Sequence, residues 1–246
     1  MGRYLGQHFL NDEAVISHAI QSILPQENGI LEVGPGGMAL TEHLIKQTTP
    51  ILLIERDEKL LPYIEKRLKA HPNAKVIHQD ILEYDFQEAR NRFKGPFGLI
   101  SNLPYLISTP FLEKIAPLSH LFTKVHLMLQ KEVVEKVMAP NGKNGSKLSH
   151  LLRIQYHLEP GIVVAKKSFN PPPKVDSQFL TLTPKKPLLE PCKWDGFREF
   201  LNLAFNHRKH TLHWFEKKYH FKAIHPSDRK IEEIPTSELI ESFLAT

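Results

Sequence analysis

The sequence predicts an α/β fold: a Rossmann-like, mostly parallel sheet with helices on both faces, followed by a small helical C-terminal domain. Three observations predict it. Short apolar runs of strand length alternate with segments of helical periodicity along the first two thirds of the chain. The first strong strand runs straight into a glycine turn, Leu31-Glu32-Val33-Gly34-Pro35-Gly36-Gly37. The composition then shifts at Thr183-Pro184-Lys185-Lys186-Pro187. That shift divides the chain into a catalytic domain over 1–184 and a helical domain over 185–246.

The elements follow in order. Val15, Ile16, Ala19, Ile20 and Ile23 have helical spacing, with Asn11 or Asp12 as the cap. Ile30–Val33 is a strand, and a helix is expected over 39–47. Ile51–Glu55 is the second strand, with a helix over 59–70. Residues 76–79, 97–101 and 125–129 read as three more strands, the last leading into a helix over Lys131–Met138. Residues 140–147 read as a polar, glycine-bearing loop. Residues 162–164 and 179–182 read as late strands flanking Phe169-Asn170-Pro171-Pro172-Pro173, where proline excludes regular structure. Strand–helix alternation of this kind makes a parallel sheet, and such sheets bind ligands at the carboxyl ends of their strands.

The bulk properties narrow the classes. At 41% apolar residues, the 246-residue chain can build a proper core and is not disordered. The lone cysteine, Cys192, excludes a disulfide framework and a Cys-rich zinc site. There is no apolar run near the roughly 18 residues of a membrane span, and the N-terminus lacks the pattern of a signal peptide. A cytoplasmic protein with no membrane partner is expected. The net charge of +5 permits a polyanionic partner without demonstrating one.

The chemistry gathers at strand ends. Gly34 and Gly36 let backbone amides approach a ligand, although Gly-x-Gly after a strand also serves dinucleotides and simple tight turns. Glu55 ends the next strand, 21 residues beyond Gly34, where a carboxylate can accept both hydroxyls of a ribose. Asp80 follows the third strand, where it can accept from an adenine amino group. Ala39 stands where a dinucleotide motif has its third glycine, and no basic residue sits in the turn. A nucleoside bearing a cationic sulfonium fits this better than a pyrophosphate.

Ser101-Asn102-Leu103-Pro104-Tyr105 follows the fourth strand. As bland structure it is a proline turn with a buried tyrosine. As chemistry it suits an exocyclic adenine amine, a poor nucleophile because its lone pair is delocalised into the ring. The Asn102 side-chain oxygen and the Leu103 carbonyl, held extended by Pro104, are two acceptors that can pull that nitrogen toward a pyramidal geometry. Tyr105 offers a ring for stacking. Positioning and polar complementarity supply the rate, and no strong general base is required.

Glu32-Val33-Gly34-Pro35-Gly36, Ile54-Glu55, Gln79-Asp80-Ile81 and Asn102-Leu103-Pro104-Tyr105 together resemble the ribosomal RNA adenine dimethyltransferase superfamily. The stretches Gly6-Gln7-His8-Phe9-Leu10-Asn11-Asp12, Met128-Leu129-Gln130-Lys131-Glu132-Val133, Phe169-Asn170-Pro171-Pro172-Pro173-Lys174-Val175-Asp176-Ser177 and 204–212 resemble its KsgA/RsmA branch. The resemblance implies a class I methyltransferase sheet and S-adenosyl-L-methionine as cofactor, with S-adenosyl-L-homocysteine as its product. It implies N6,N6-dimethylation of two adjacent adenines in the 3′-terminal hairpin loop of small-subunit rRNA, late in subunit assembly. By position it assigns the cofactor to His8, Leu10, Gly34, Gly36, Glu55, Asp80 and Asn102. It assigns Phe169 to stacking on a flipped base opposite Tyr105.

The chain departs from the family pattern at His8, where Asn is usual, and at Leu106, where Asn usually follows the tyrosine. It also begins only a few residues before Gln7, where relatives carry a longer basic arm. RNA affinity is therefore expected to lean on the C-terminal segment, where Arg208, Lys209, Lys217 and Lys218 face Glu216 alone. A solvated helix face is the alternative reading of those charges. His207, His210 and His213 recur every three residues without a thiol or carboxylate pattern beside them, and no metal site is expected. The alternatives to a monomeric small-subunit enzyme are an Erm-type enzyme of large-subunit rRNA and an assembly factor whose catalysis is dispensable.

Overall fold

A computed structural model describes residues 8–25, 28–139, 145–219 and 228–245. Most of the polar loop expected over 140–147, the residues before His8 and the basic Lys222 lie outside the described residues.

β1 (Phe9–Leu10) leads into α1 (Glu13–Ile23), where the Asp12 carboxylate accepts from the Ala14 and Val15 amides at 3.2 and 3.3 Å. That satisfies two of the donors a helix start leaves open. Strands and helices then alternate: β2 (Ile30–Val33), α2 (Thr41–Leu44), β3 (Ile51–Glu55), α3 (Leu61–Leu68), β4 (Ala74–His78), α4 (Phe86–Phe93), β5 (Phe97–Asn102), α5 (Ser108–Ile115), β6 (Phe122–Gln130) and α6 (Lys131–Met138). β2, β3 and most of β5 are buried throughout, as central parallel strands are when helices cover both faces. α7 (Lys147–Gln155), β7 (Tyr156–Val164), β8 (Phe169–Asn170) and β9 (Ser177–Pro184) complete the sheet region.

The sheet order is β4-β3-β2-β5-β6-β9-β7, parallel through β6, with β9 antiparallel to β6 and β7 antiparallel to β9. Strand alternation divides the core. Ile30, Leu53 and Ile100 pack with α1 and Ile64 of α3 on one face. Leu31, Leu52 and Leu99 pack with α4, α5 and α7 on the other.

Two expectations are corrected. The helix over 39–47 shrinks to the four residues of α2: after Ile45 the Gln47 amide turns to the Leu44 carbonyl, three residues back, at 2.9 Å, and this turn ends the helix. Phe169 and Asn170 are regular after all: they keep the amide hydrogens that the following prolines lack, and pair antiparallel with Leu10 and Phe9. A latch fixes this pair, since Asn11 N–H donates to the Ser168 carbonyl at 3.0 Å and the Ser168 hydroxyl to Asp12 at 2.7 Å.

After Pro184 come α8 (Trp194–Asn206), α9 (Leu212–Tyr219) and α10 (Thr236–Leu244). Phe197 and Leu201 of α8 and Leu239 and Ile240 of α10 join the same apolar cluster as Leu151 and Leu152 of α7. The C-terminal helices and one face of the sheet thus share a core.

Candidate active site

The carboxyl ends of β2, β3, β4 and β5 meet at one edge, where two adjoining clefts open. One, of about 770 Å³, is lined among others by His8, Leu10, Glu32, Gly36, Asn102 and Tyr105. Its neighbour, of about 610 Å³, is lined by Ile54, Arg56, Asp80, Ile81, Leu106 and Ile107. Gly34, Glu55 and Pro104 border both and make the two clefts one continuous surface.

The turn after β2 requires its glycines. Gly34 and Gly36 have φ of 64° and 51°, the left-handed region that a side chain disfavours. A Cβ on Gly36 would also come within 3.3 Å of the Phe9 ring, and one on Gly34 would lie 4.0 Å from Pro104 Cδ. The glycine turn therefore lies directly against both the N-terminal strand and the turn after β5.

Glu55 is 4% exposed and held at the end of β3 by two backbone donors. Gly36 N–H donates to Oε2 at 3.1 Å, and Asp57 N–H to Oε1 at 2.8 Å. Each oxygen keeps a further lone pair for a ligand hydroxyl. Asp80 accepts from the Leu82 amide at 2.9 Å and faces the Arg56 guanidinium at 3.3 Å, beside Ile81 and Leu106. A planar base with an amino edge suits that mixture of carboxylate and apolar wall.

Glu32 is 2% exposed and borders the same cleft. The Thr41 hydroxyl donates to it at 2.7 Å. Burial, with the charge of Glu55 nearby, pushes its carboxyl up to about 8. At neutral pH Glu32 thus keeps its proton and Glu55 is the carboxylate beside the glycine turn; among the described residues no lysine or arginine lines this cleft, which favours a positively charged ligand there over an anion.

At the end of β5, Asn102 Nδ2 donates to the His8 carbonyl at 3.1 Å. The carboxamide oxygen is left as its acceptor. Leu103 is held by its amide donating to the Met128 carbonyl at 3.2 Å. Tyr105 is half-buried, its hydroxyl 2.8 Å from the Ser177 hydroxyl and its ring centroid 5.9 Å from that of His8. His8 Nδ1–H donates to the Pro171 carbonyl at 2.8 Å.

The profile of the family described as ribosomal RNA adenine dimethylase matches residues 2–233. The chain belongs to this family. It is similar to the ribosomal RNA small subunit methyltransferase A of Variovorax paradoxus, 37% identical over 96% of this chain and 92% of that one. The protein of the same name from Streptococcus thermophilus is 34% identical over 93% of this chain and 80% of that one. Among solved structures, a dimethyladenosine transferase from Plasmodium falciparum matches with a TM-score of 0.74, at 27% identity over 85% of this chain and 75% of that one. The 23S rRNA methyltransferase ErmE matches with a TM-score of 0.71 at 21% identity, over 96% and 98%, which shows a shared fold.

Within this member of the family, His8, Leu10, Gly34, Gly36, Glu55, Asn102, Leu103, Pro104 and Tyr105 come together at the first cleft and Asp80 at the second. Phe169 does not join them. It is 3% exposed in the core with Leu10, Met128 and Phe179, and lines neither cleft. Glu32 and Phe9 are additions. Glu32 carried a sequence signal, a lone acid inside an apolar strand; Phe9, packed on the glycine turn, carried none.

Arg208, Lys209, Lys217 and Lys218 are exposed, but not all are free. Arg208 faces the buried Glu232 at 3.7 Å, and Lys218 Nζ lies 4.8 Å from the Trp214 ring centre. His210 stacks on Trp214 with centroids 3.9 Å apart, and His207 Nε2 lies 2.8 Å from the Tyr219 hydroxyl. These histidines are engaged with aromatic rings and a phenol.

Proposed function

We propose that this chain transfers methyl groups from S-adenosyl-L-methionine to the N6 amines of two adjacent adenines in the 3′-terminal hairpin loop of small-subunit rRNA. The observation that carries the reading is the near contact between the glycine turn and the turn Asn102-Leu103-Pro104-Tyr105, with Gly34 against Pro104. A donor held by the first turn and an amine held by the second would meet in one cleft.

The residues fit the cofactor. Glu55 would take the ribose hydroxyls, Asp80 with Ile81 and Leu106 the adenine, and the acidic surroundings of the glycine turn the cationic part. When bound, S-adenosylmethionine supplies an electrophilic methyl group. The chain's own part is positioning: Asn102 and the Leu103 carbonyl accept from the target amine, and Tyr105, steadied by Ser177, stacks on the base. A base must leave its helix to reach them. Phe169 would stack on that base only if the β1–β8 pair opened.

In this reading residues 1–184 form the catalytic domain and 185–246 the RNA-binding domain, with Arg208, Lys209, Lys217 and Lys218 meeting phosphates. The enzyme acts as a cytoplasmic monomer; no described helix is long and apolar enough to cross a membrane. The test is transfer of labelled methyl groups to isolated small and large ribosomal subunits. Labelling of small subunits alone is expected, and labelling of large subunits alone would overturn the assignment. Should cells carrying Asn102→Ala grow as wild type while a deletion strain is impaired, subunit binding rather than catalysis would be the essential role.

A further inference from the structure

A third cleft, of about 870 Å³, lies where the start of β7 and the end of β9 meet α7 and the first turn of α10. It belongs to neither catalytic cleft. β9 runs from Ser177, beside Tyr105, to Pro184 next to this cleft, a distance of about 24 Å at the rise of an extended strand.

Two cations border it, Arg153 and Lys185. Burial lowers both, and the nearness of Arg153 lowers Lys185 further, so two like charges face one space. Arg153 is fixed by neutral groups, its Nη2 donating to the Met138 carbonyl at 2.7 Å and its Nε to the Ser149 hydroxyl at 3.3 Å. Glu159 also borders the cleft, but among the described residues no ion pair within 4.0 Å joins it to either cation.

The start of α10 borders the same cleft. Its N-cap is Pro235, which has no side-chain acceptor to offer, so the first amides of this nine-residue helix lack a side-chain cap. Thr236 and Ser237 border the cleft, and the Thr236 hydroxyl is held by Nδ1 of the buried His150 at 2.9 Å. Two cations, a helix start with its amides and two hydroxyl side chains around one cleft are the donors a phosphate group needs.

We propose that Arg153, Lys185 and the first turn of α10 form a phosphate site that grips the RNA backbone remote from the target adenines. The inference rests on the RNA-methylating function proposed above. It places a phosphodiester on the order of 24 Å from the reacting amine, so a whole subunit or long RNA can engage the site while a hairpin loop with a stem of only a few base pairs cannot.

The test compares wild type, Lys185→Gln and Ser237→Asp. Ser237→Asp sets a carboxylate where the phosphate would sit, and it keeps or raises the melting temperature because an acid favours a helix start. Binding to full-length small-subunit RNA is measured against salt, alongside an amide NMR titration with inorganic phosphate. Each variant is expected to lower the slope of log K against log salt by about one and weaken binding several-fold. Binding to the hairpin loop on a stem of only a few base pairs and to cofactor is expected to stay unchanged. In wild type alone, phosphate is expected to shift the Ser237 and Glu238 amides.

Unchanged slopes in both variants while wild type binds the RNA would overturn the proposal, even if phosphate shifts the amides, since the site would then hold only free anions. Amides that ignore phosphate would overturn it as well. Failure of wild type to bind or methylate small-subunit RNA would instead sink the functional reading, and the phosphate titration would still decide whether the anion site exists.

Discussion

The side chain of Asn102 is tied to the backbone of His8, 94 residues earlier, through a 3.1 Å hydrogen bond from Nδ2 to the carbonyl oxygen. The N-terminal strand thereby sets the orientation of the carboxamide that is to accept from the target amine. Asn102→Ala removes both the acceptor and this tie. Its kcat is expected to fall by about 10²–10³-fold, the usual cost of one oriented polar group at a reacting centre. Cofactor affinity, measured by calorimetry, is expected to change less than about tenfold. Turnover near wild type would contradict the acceptor role.

Tyr105 separates stacking from hydrogen bonding. Its hydroxyl meets Ser177 at 2.8 Å, so Tyr105→Phe keeps the ring and loses only the steadying bond. A loss of roughly 1 kcal/mol in stability and a few-fold in kcat is expected. Tyr105→Ala removes the ring, and base stacking of about 1–3 kcal/mol with it. Steady-state kinetics on small subunits should rank the two clearly; equal defects would argue against stacking.

Glu32 gives a pH signature. Its folded value, about 8 against an ordinary 4.5, means the folded state holds a proton that the unfolded state has released between those values. Stability is therefore fully present below about 4.5 and declines as pH rises toward 8, by up to about 1.4 kcal/mol per pH unit. Glu32→Gln, which keeps an acceptor for Thr41, should flatten this decline relative to wild type. Melting temperatures across pH 5–9 check it (~0.5-unit steps suffice for a transition of this breadth), and parallel curves for the two proteins would refute it.

Gly36→Ala tests the turn. The new methyl group meets a left-handed backbone and the Phe9 ring at 3.3 Å together. A cost of about 1–3 kcal/mol is expected, with cofactor binding weakened because Glu55 is held by the Gly36 amide. Denaturant melts and calorimetry report the two effects. A variant as stable as wild type would show that the turn tolerates a side chain.

Much of the site was legible because its residues end strands. Gly34, Glu55 and Asn102 end or follow buried apolar runs and Asp80 follows the partly exposed edge strand β4, and parallel strands deliver their carboxyl ends to one edge. α4 carries only Phe86, Ala89 and Phe93 as its buried face, too short a pattern to distinguish from a loop. α7 is buried on nearly every side, polar Ser149, His150 and Gln155 included, so it shows no clean stripe.

By itself the sequence determined the alternation of strands and helices, the glycine turn and the acids and carboxamide at the strand ends, since local periodicity and backbone requirements fix these. Only the tertiary structure decided that Phe169 sinks into the core beneath the β1–β8 pair, that Phe9 lies on the glycine turn, and that Arg208 is answered by Glu232. It alone also brought Arg153 and Lys185 to the start of α10. Such contacts join residues tens to well over a hundred positions apart, and they follow from which faces pack together rather than from any pattern within one segment.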